Sequence, residues 1–398
     1  MLKGKKVVVA VTGSIAAYKS ALIVRFLIKS GAEVKVVMTN SSHDFITPLT
    51  LSTLSKNPVY SEFTSSKEAG TWNNHVELGL WADIMLVAPA TANSLSKMAS
   101  GESDNFLMAV YLSAKCPVYI APAMDLDMYK HPSTKENIEK LVSYGNMIIY
   151  PGSGELASGL EGEGRLAEPE EIIDFIHNDL RAKQPLFGKR MMVTAGPTHE
   201  ALDPVRYLGN RSTGKMGFAL AKKASELGAT VTLIAGPVSL STPNPSITRI
   251  DVVSASEMFE AVKAEFNNQD IVVMAAAIAD YTPLVFSQKK MKKKEGELNI
   301  ELKRTQDILA YLGQNKQKQI LVGFALETNN EKENAQGKLE RKNLDFIVLN
   351  SLNDKGAGFA GDTNKVSILD RHNKTTDFEL KSKEDVSGDI LNYLIQNY

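Results

Sequence analysis

Short, wholly apolar runs alternate along the chain with longer segments whose apolar residues recur at helical spacing, a pattern that predicts strands and helices in strict succession. Lys5 to Val11 is a β-branched run ending at Thr12-Gly13, and Ser14 to Lys29 follows with a helical period. Gly31-Ala32 closes that helix, and Val34 to Met38 supplies the next strand of a βαβ unit with a right-handed crossover. Buried-type runs return at Ile84 to Ala88, Pro117 to Ala121 and Met147 to Tyr150 with helical segments between them, so the predicted sheet is parallel. Residues 151–164 are so rich in glycine that ordering them as helix or regular strand is entropically costly, and they read as a mobile flap. A loop of that length in a compact domain is usually functional.

After a helix over Glu170 to Leu180 and a linker from Arg181 to Gly188 the pattern restarts. Gly188-Lys189-Arg190 before Met191 to Ala195 echoes Gly4-Lys5-Lys6 before Val7 to Ala10, and Gly228-Ala229 before Val231 to Ala235 echoes Gly31-Ala32. Further strands are predicted at Ile271 to Ala277, Gln319 to Ala325, Phe346 to Leu349 and Val366 to Asp370, with helices between most of them. The expected architecture is α/β: two doubly wound, Rossmann-like domains with mainly parallel sheets, residues 1–188 and 189–398.

A length of 398 residues agrees with two domains, and a 43% hydrophobic, 23% charged composition excludes a disordered or fibrous chain. The net charge of −1 leaves no global field to recruit nucleic acid or an anionic membrane. Cys116 is the only cysteine, which rules out intramolecular disulfides and thiolate metal clusters and fits a reducing compartment. With neither a signal-type h-region nor a long apolar span, the expected location is the cytoplasm.

Candidate chemistry gathers at strand ends. Thr12-Gly13-Ser14-Ile15 joins a strand to a helix start, where backbone N–H groups suit a phosphate, or it is a plain turn. It lacks the three glycines of the dinucleotide fingerprint, which favours a mononucleotide over NAD. Thr91, Asn93 and Ser94 follow the strand ending at Ala88, as ligand groups or as helix caps. Ala121 to Tyr129 follows another buried strand, and His75 is a lone histidine of the kind usually found solvated. In the second half, Gly209, Gly214 and Lys215 approximate a P-loop. Met216 replaces the hydroxyl that would hold Mg²⁺, and no strand directly precedes the segment, so a Walker-type ATPase is excluded. Asp280 closes a buried strand, and the run Lys289 to Lys294 is either a solvated loop or a collector of phosphate charge.

These segments resemble the flavin-containing cysteine decarboxylases and, from end to end, the bifunctional coenzyme A biosynthesis flavoproteins. The resemblance implies FMN held by Gly13, Ser14, Ile15, Thr39, Ser41, Thr91, Asn93 and Ser94, with His75 as the active-site histidine. It implies oxidation of the substrate's cysteine thiol, loss of CO₂ from the thioaldehyde, and reduction and protonation of the enethiolate. Two positions depart from the family pattern. Its Pro-x-Met-Asn clamp reads Pro122-Ala123-Met124-Asp125 here, and Ser158 stands where the flap carries a proton-donating cysteine. Asp125 would repel a substrate carboxylate unless one of the two carried a proton, and a protonated Asp125 could then take over proton donation from the weakly acidic Ser158. The competing expectation is an FMN-binding oligomerisation scaffold under a working ligase.

For the second half the resemblance implies that the carboxylate of 4′-phosphopantothenate attacks CTP, with Mg²⁺, and that cysteine's amine displaces CMP from the acyl-cytidylate. It assigns Lys290 as the catalytic lysine and Asn210 to the acyl intermediate through its amide. The substrate contacts it implies are Ala275, Ala276, Ala277, Asp280, Thr305, Gln306, Asp307, Ile308, Phe324, Lys338 and Lys342. No protein-only metal cage is expected. The implied partners are 4′-phosphopantothenate, cysteine, CTP and phosphopantothenoylcysteine. Homo-oligomers are implied too, with decarboxylase trimers and ligase dimers building up to a dodecamer.

Overall fold

A computed structural model describes residues 2–66, 70–156, 158–292, 298–327, 329–351 and 361–398. The chain divides into two compact units, residues 1–181 and 182–398.

In the first unit the β-branched run Lys6–Val11 becomes the central strand of a parallel sheet. The spatial order is Val59–Tyr60, Glu33–Met38, Lys6–Val11, Ile84–Ala90, Val118–Pro122 and Met147–Ile148. Both faces are covered, which explains the unbroken apolar runs: Val7, Val9 and Val11 pack into one core layer, Val8 and Ala10 into the other. Strand order reverses between Lys6–Val11 and Ile84–Ala90, and beyond the carboxyl ends of these strands the connecting loops part to leave a crevice.

The second unit repeats the plan around Arg190–Ala195. Its order is Thr248–Asp251, Thr230–Ala235, Arg190–Ala195, Ile271–Met274, Ile320–Glu327, Phe346–Ser351, Val366–Asp370 and Thr375–Asp377. The first six strands are parallel, and at the edge Val366–Asp370 pairs antiparallel with Phe346–Ser351 and Thr375–Asp377 antiparallel with Val366–Asp370. Met191 and Val193 face one core and Met192 the other. The order reverses between Arg190–Ala195 and Ile271–Met274.

Some elements differ from the sequence expectation. The helix expected over Ser14 to Lys29 begins as a 3₁₀ turn, Ile15–Lys19, capped by Ser14, and continues as the α-helix Ser20–Lys29. The glycine-rich segment expected to lack regular structure forms an antiparallel hairpin of Gly152–Glu155 and Glu161–Arg165. Its glycines serve close approach: a Cβ on Gly164, whose φ is +138°, would lie 2.4 Å from the Met124 carbonyl oxygen, and one on Gly162 would lie 2.6 Å from Leu126 Cδ1. The hairpin is fastened there by Met124 N–H donating to Gly164 O at 3.0 Å. Among the described residues no helix is long and apolar enough to cross a membrane.

Candidate functional site

At the reversal point of the first unit the buried Thr12 ties two loops together. Its hydroxyl donates to Pro89 O (2.7 Å) and accepts from Thr91 N–H (3.1 Å). Gly13 is required by packing, because a Cβ there would lie 2.5 Å from Ser41 Oγ. Ser41 Oγ is 3.2 Å from Thr39 Oγ1, so Gly13, Thr39 and Ser41 are brought together. Thr91 caps the helix Ala92–Ser100, accepting from Ser94 N–H, while its hydroxyl meets that of the buried Ser94 at 3.1 Å; Asn93 is exposed. Capping and ligand binding are compatible for Thr91, since a hydroxyl has two acceptor lone pairs.

Asp125 ends the loop after Val118–Pro122 and caps Leu126–Lys130, its Oδ1 accepting from Leu126 N–H at 2.6 Å. Oδ2 has no partner among the described residues. Asp125 lines a cavity of about 310 Å³ with Ser14, Ile15, Lys19, Glu155 and Arg165. Lys19 is buried, pairs with Glu168 at 2.9 Å and donates to Leu166 O. The hydrogen bond from Lys19 holds the Glu168 carboxyl below its usual range, against a smaller opposing effect of burial. The guanidinium of Arg165 makes one hydrogen bond among the described residues, to Glu168 at 3.0 Å.

Ser158 is exposed in the hairpin turn and lies outside that cavity's lining, as does His75. His75 opens the helix His75–Trp81, where Asn74 provides the cap. Phe63 and Trp72 meet its ring edge-on, with centroids at 6.0 and 5.9 Å. Its Nδ1 is buried and has no partner among the described residues, a state that costs about 1–3 kcal/mol. Cys116 is half-buried, and burial pushes its thiol up, which makes it a poorer proton donor still.

In the second unit, Gly196 (φ +81°) turns the chain after Arg190–Ala195 and accepts through its carbonyl from Ala277 N–H at 2.9 Å. Thr194 Oγ1 accepts from Ala276 N–H and Thr198 Oγ1 from Ala279 N–H, so two hydroxyls shape the segment Ala275 to Asp280. Two cavities open there, of about 450 and 340 Å³, sharing Ala276, Ile278, Asp280, Phe324 and Lys338. The larger collects Thr305, Gln306, Asp307, Ile308 and Lys342. Lys342 pairs with Asp307 at 2.9 Å, and Lys338 donates to Phe324 O at 2.7 Å. Burial raises the Asp307 carboxyl, but the Lys342 and Ala310 hydrogen bonds outweigh it and the net displacement is downward.

The smaller cavity holds Asn210, Ala275, Ala277 and the turn Ser212 to Gly217. Asn210 Nδ2 donates to Ala277 O (3.0 Å) and Ile278 O (3.1 Å), so both amide protons are spent on the strand end and its oxygen is the group left to offer. Lys383 also lines it, with burial and then the nearby Lys215 charge pushing its ammonium pKa down.

Lys290 lies on an exposed loop and lines neither cavity; Lys293 and Lys294 lie outside the described residues. The loop is clasped one residue on. Asp203, its side chain fully buried, accepts from Met291 N–H (3.1 Å) and pairs with Arg206, which donates to Met291 O at 2.9 Å. Sequence reading missed this clasp, as it missed Asn350, which lines the smaller cavity and whose buried Oδ1 has no partner among the described residues.

Residues 1–181 match the family described as Flavoprotein, and residues 186–398 match the DNA/pantothenate metabolism flavoprotein C-terminal domain. The chain is 46% identical over 393 residues to the coenzyme A biosynthesis bifunctional protein CoaBC of Bacillus subtilis (strain 168), covering 98% of this chain and 97% of that protein. The chain belongs to the CoaBC family of bifunctional flavoproteins. The chain is also similar to a protein named cysteine/cysteine sulfinic acid decarboxylase, from an unknown prokaryotic organism. It is 55% identical over 355 residues, 88% of this chain and 99% of that protein. Among solved structures, the C-terminal domain of a CoaBC protein is 40% identical and covers 54% of this chain and 97% of its own, with a TM-score of 0.47.

Proposed function

We propose that the chain makes 4′-phosphopantetheine in two steps, a CTP-dependent ligation of cysteine to 4′-phosphopantothenate in residues 182–398 and an FMN-dependent decarboxylation in residues 1–181. The observation that carries this reading is the pair of contiguous cavities at the strand-order reversal of the second unit, room for a nucleotide beside a second substrate. Lys338 and Lys342 supply positive charge to one, and Ser212 to Lys215 offer an anion-binding turn to the other. Both the triphosphate and the attacking carboxylate are anions, so such charge is what the reaction needs. Lys290, held by the Met291 clasp, closes toward the triphosphate, and Asn210 holds the strand end against which the acyl intermediate lies. Mg²⁺ arrives with CTP, ligated mainly by phosphate and water.

In the first unit Gly13, Ser14, Ile15, Thr39, Ser41 and the Thr91 to Ser94 helix start fit FMN, because their clustered hydroxyls and the backbone N–H groups of a turn and a helix start suit its phosphate. The flavin supplies reversible two-electron oxidation at the substrate's thiol-bearing carbon. His75 handles the proton with its free nitrogen, and the hairpin carrying Ser158 excludes water. Exposed apolar residues on one face, Ile15, Tyr18 and Leu22, suit contact with further copies of the chain.

A second reading of this unit follows the activity for which the 55% identical relative is named, decarboxylation of cysteine or cysteine sulfinic acid. Asp125 in place of the family asparagine favours it. The test of the two-step reading is mass analysis after mixing protein, 4′-phosphopantothenate, cysteine, CTP and Mg²⁺. 4′-Phosphopantetheine, CMP and CO₂ are expected in equal amounts; phosphopantothenoylcysteine that accumulates without CO₂ would overturn the decarboxylation step, and absence of any CTP-dependent thiol product would overturn the ligase.

A further inference from the structure

We infer that the cavity at Asp125 receives an unacylated amino acid of the cysteine class, its α-ammonium held by Asp125 and its carboxylate facing Arg165. This rests on the second reading of the first unit, decarboxylation of free cysteine in place of phosphopantothenoylcysteine, and names the side chains that select that substrate. Asp125 Oδ1 is occupied by the helix N–H of Leu126, whereas Oδ2 is left as an acceptor on the wall of a cavity of about 310 Å³.

Asparagine and aspartate are equally good helix caps, so capping leaves the choice between them free and the difference is one of charge toward the cavity. An N-acylated cysteine brings a carboxylate and a neutral amide to this wall, and its carboxylate is repelled by Asp125. A free cysteine brings a cation on the same carbon, one bond from its carboxylate, and forms a charge-assisted hydrogen bond instead. The cavity carries the complementary sign as well. Among the described residues Arg165 has donors unused after its single bond to Glu168, and it is held in place by the hairpin whose Gly164 closes on Met124. Lys19 is committed to Glu168 and Leu166 O, which leaves Arg165 as the cation available to the carboxylate.

The reaction balances without an outside oxidant. The bond from Cα to the carboxylate breaks, a Cα–H bond forms with a proton from solvent, and cysteine becomes 2-aminoethanethiol and CO₂ with the thiol retained. Oxidation at the thiol-bearing carbon in the first half is returned in the second, so the flavin ends as it began. An ionised Asp125 is needed for recognition here, so proton donation falls to another group.

The test uses full-length, flavin-loaded protein and release of carboxyl-labelled CO₂ from three probes: L-cysteine, N-acetyl-L-cysteine and phosphopantothenoylcysteine. Wild type is expected to favour L-cysteine over N-acetyl-L-cysteine by about tenfold or more in kcat/KM, the ratio a charge-assisted hydrogen bond supports. Asp125→Asn, which keeps the cap and the shape, should reverse the preference, with the change carried mainly by KM for L-cysteine. Release from phosphopantothenoylcysteine but not from L-cysteine, or an unchanged ratio in Asp125→Asn, overturns the inference and leaves the decarboxylase standing. Release from none of the three overturns both.

Discussion

His75 keeps a buried nitrogen that has no partner among the described residues, with Phe63 and Trp72 edge-on to its ring, and a ligand that supplied the missing bond would offset that cost. Replacing His75 with Asn should lower decarboxylation about a hundredfold or more while FMN stays bound and ligation is unchanged. Labelled CO₂ release alongside CMP formation checks this, and equal loss of both activities would contradict it. The histidine was legible in the sequence through the resemblance. Its aromatic neighbours were not, because nothing in the spacing of 63, 72 and 75 signals that the short strands Thr64–Ser66 and Thr71–Trp72 fold them together. Asn210 stood out in the sequence through the resemblance and lines the smaller cavity, yet which of its amide atoms faces that cavity depended on carbonyls 67 and 68 residues away in sequence.

Among the elements, strands buried on both faces were the easiest to read, since an unbroken β-branched run has few other uses. Short edge strands such as Val59–Tyr60 and Thr248–Asp251 left no comparable signal, as each is partly exposed. The glycine-rich hairpin was misread because composition argues against strand, while what decides its structure is the backbone it must approach at Met124 and Leu126. The basic loop shows a related gap: the lysines were visible, but the clasp that holds them was not.

Hydrogen bonding from Arg206 holds the Asp203 carboxyl well below the usual carboxylate range; burial opposes it, and the amides of Met291, Val205 and Arg206 add to it. A lowered folded-state pKa means this contribution is complete above the unfolded value of about 3.9 and is lost as pH falls below it. The urea midpoint of the wild type should therefore fall on acidification from pH 4 to pH 3, and Asp203→Asn should flatten that slope. At neutral pH the variant should show a raised KM for CTP from the loosened loop. An identical acid slope in wild type and variant would contradict the clasp.

At the level of the whole chain, the same sheet plan occurs twice, with strand order reversing beside the first strand of each unit. That much followed from the restart of the hydrophobic pattern near residue 188, because a βαβ beginning can be recognised locally. Which ligand each crevice takes could not be read from pattern, since the fold is shared by many chemistries and the answer lies in single atoms such as Asp125 Oδ2 and Lys338 Nζ. The central claim is that each crevice holds its own phosphorylated ligand. Its most direct test is the binding stoichiometry of purified full-length protein, with flavin measured by absorbance and CTP by calorimetric titration. One FMN and one CTP per chain are predicted, with Ser41→Trp losing the flavin alone and Lys338→Ala weakening CTP alone by about tenfold. Competition between the two ligands, or loss of both through either single substitution, would contradict it.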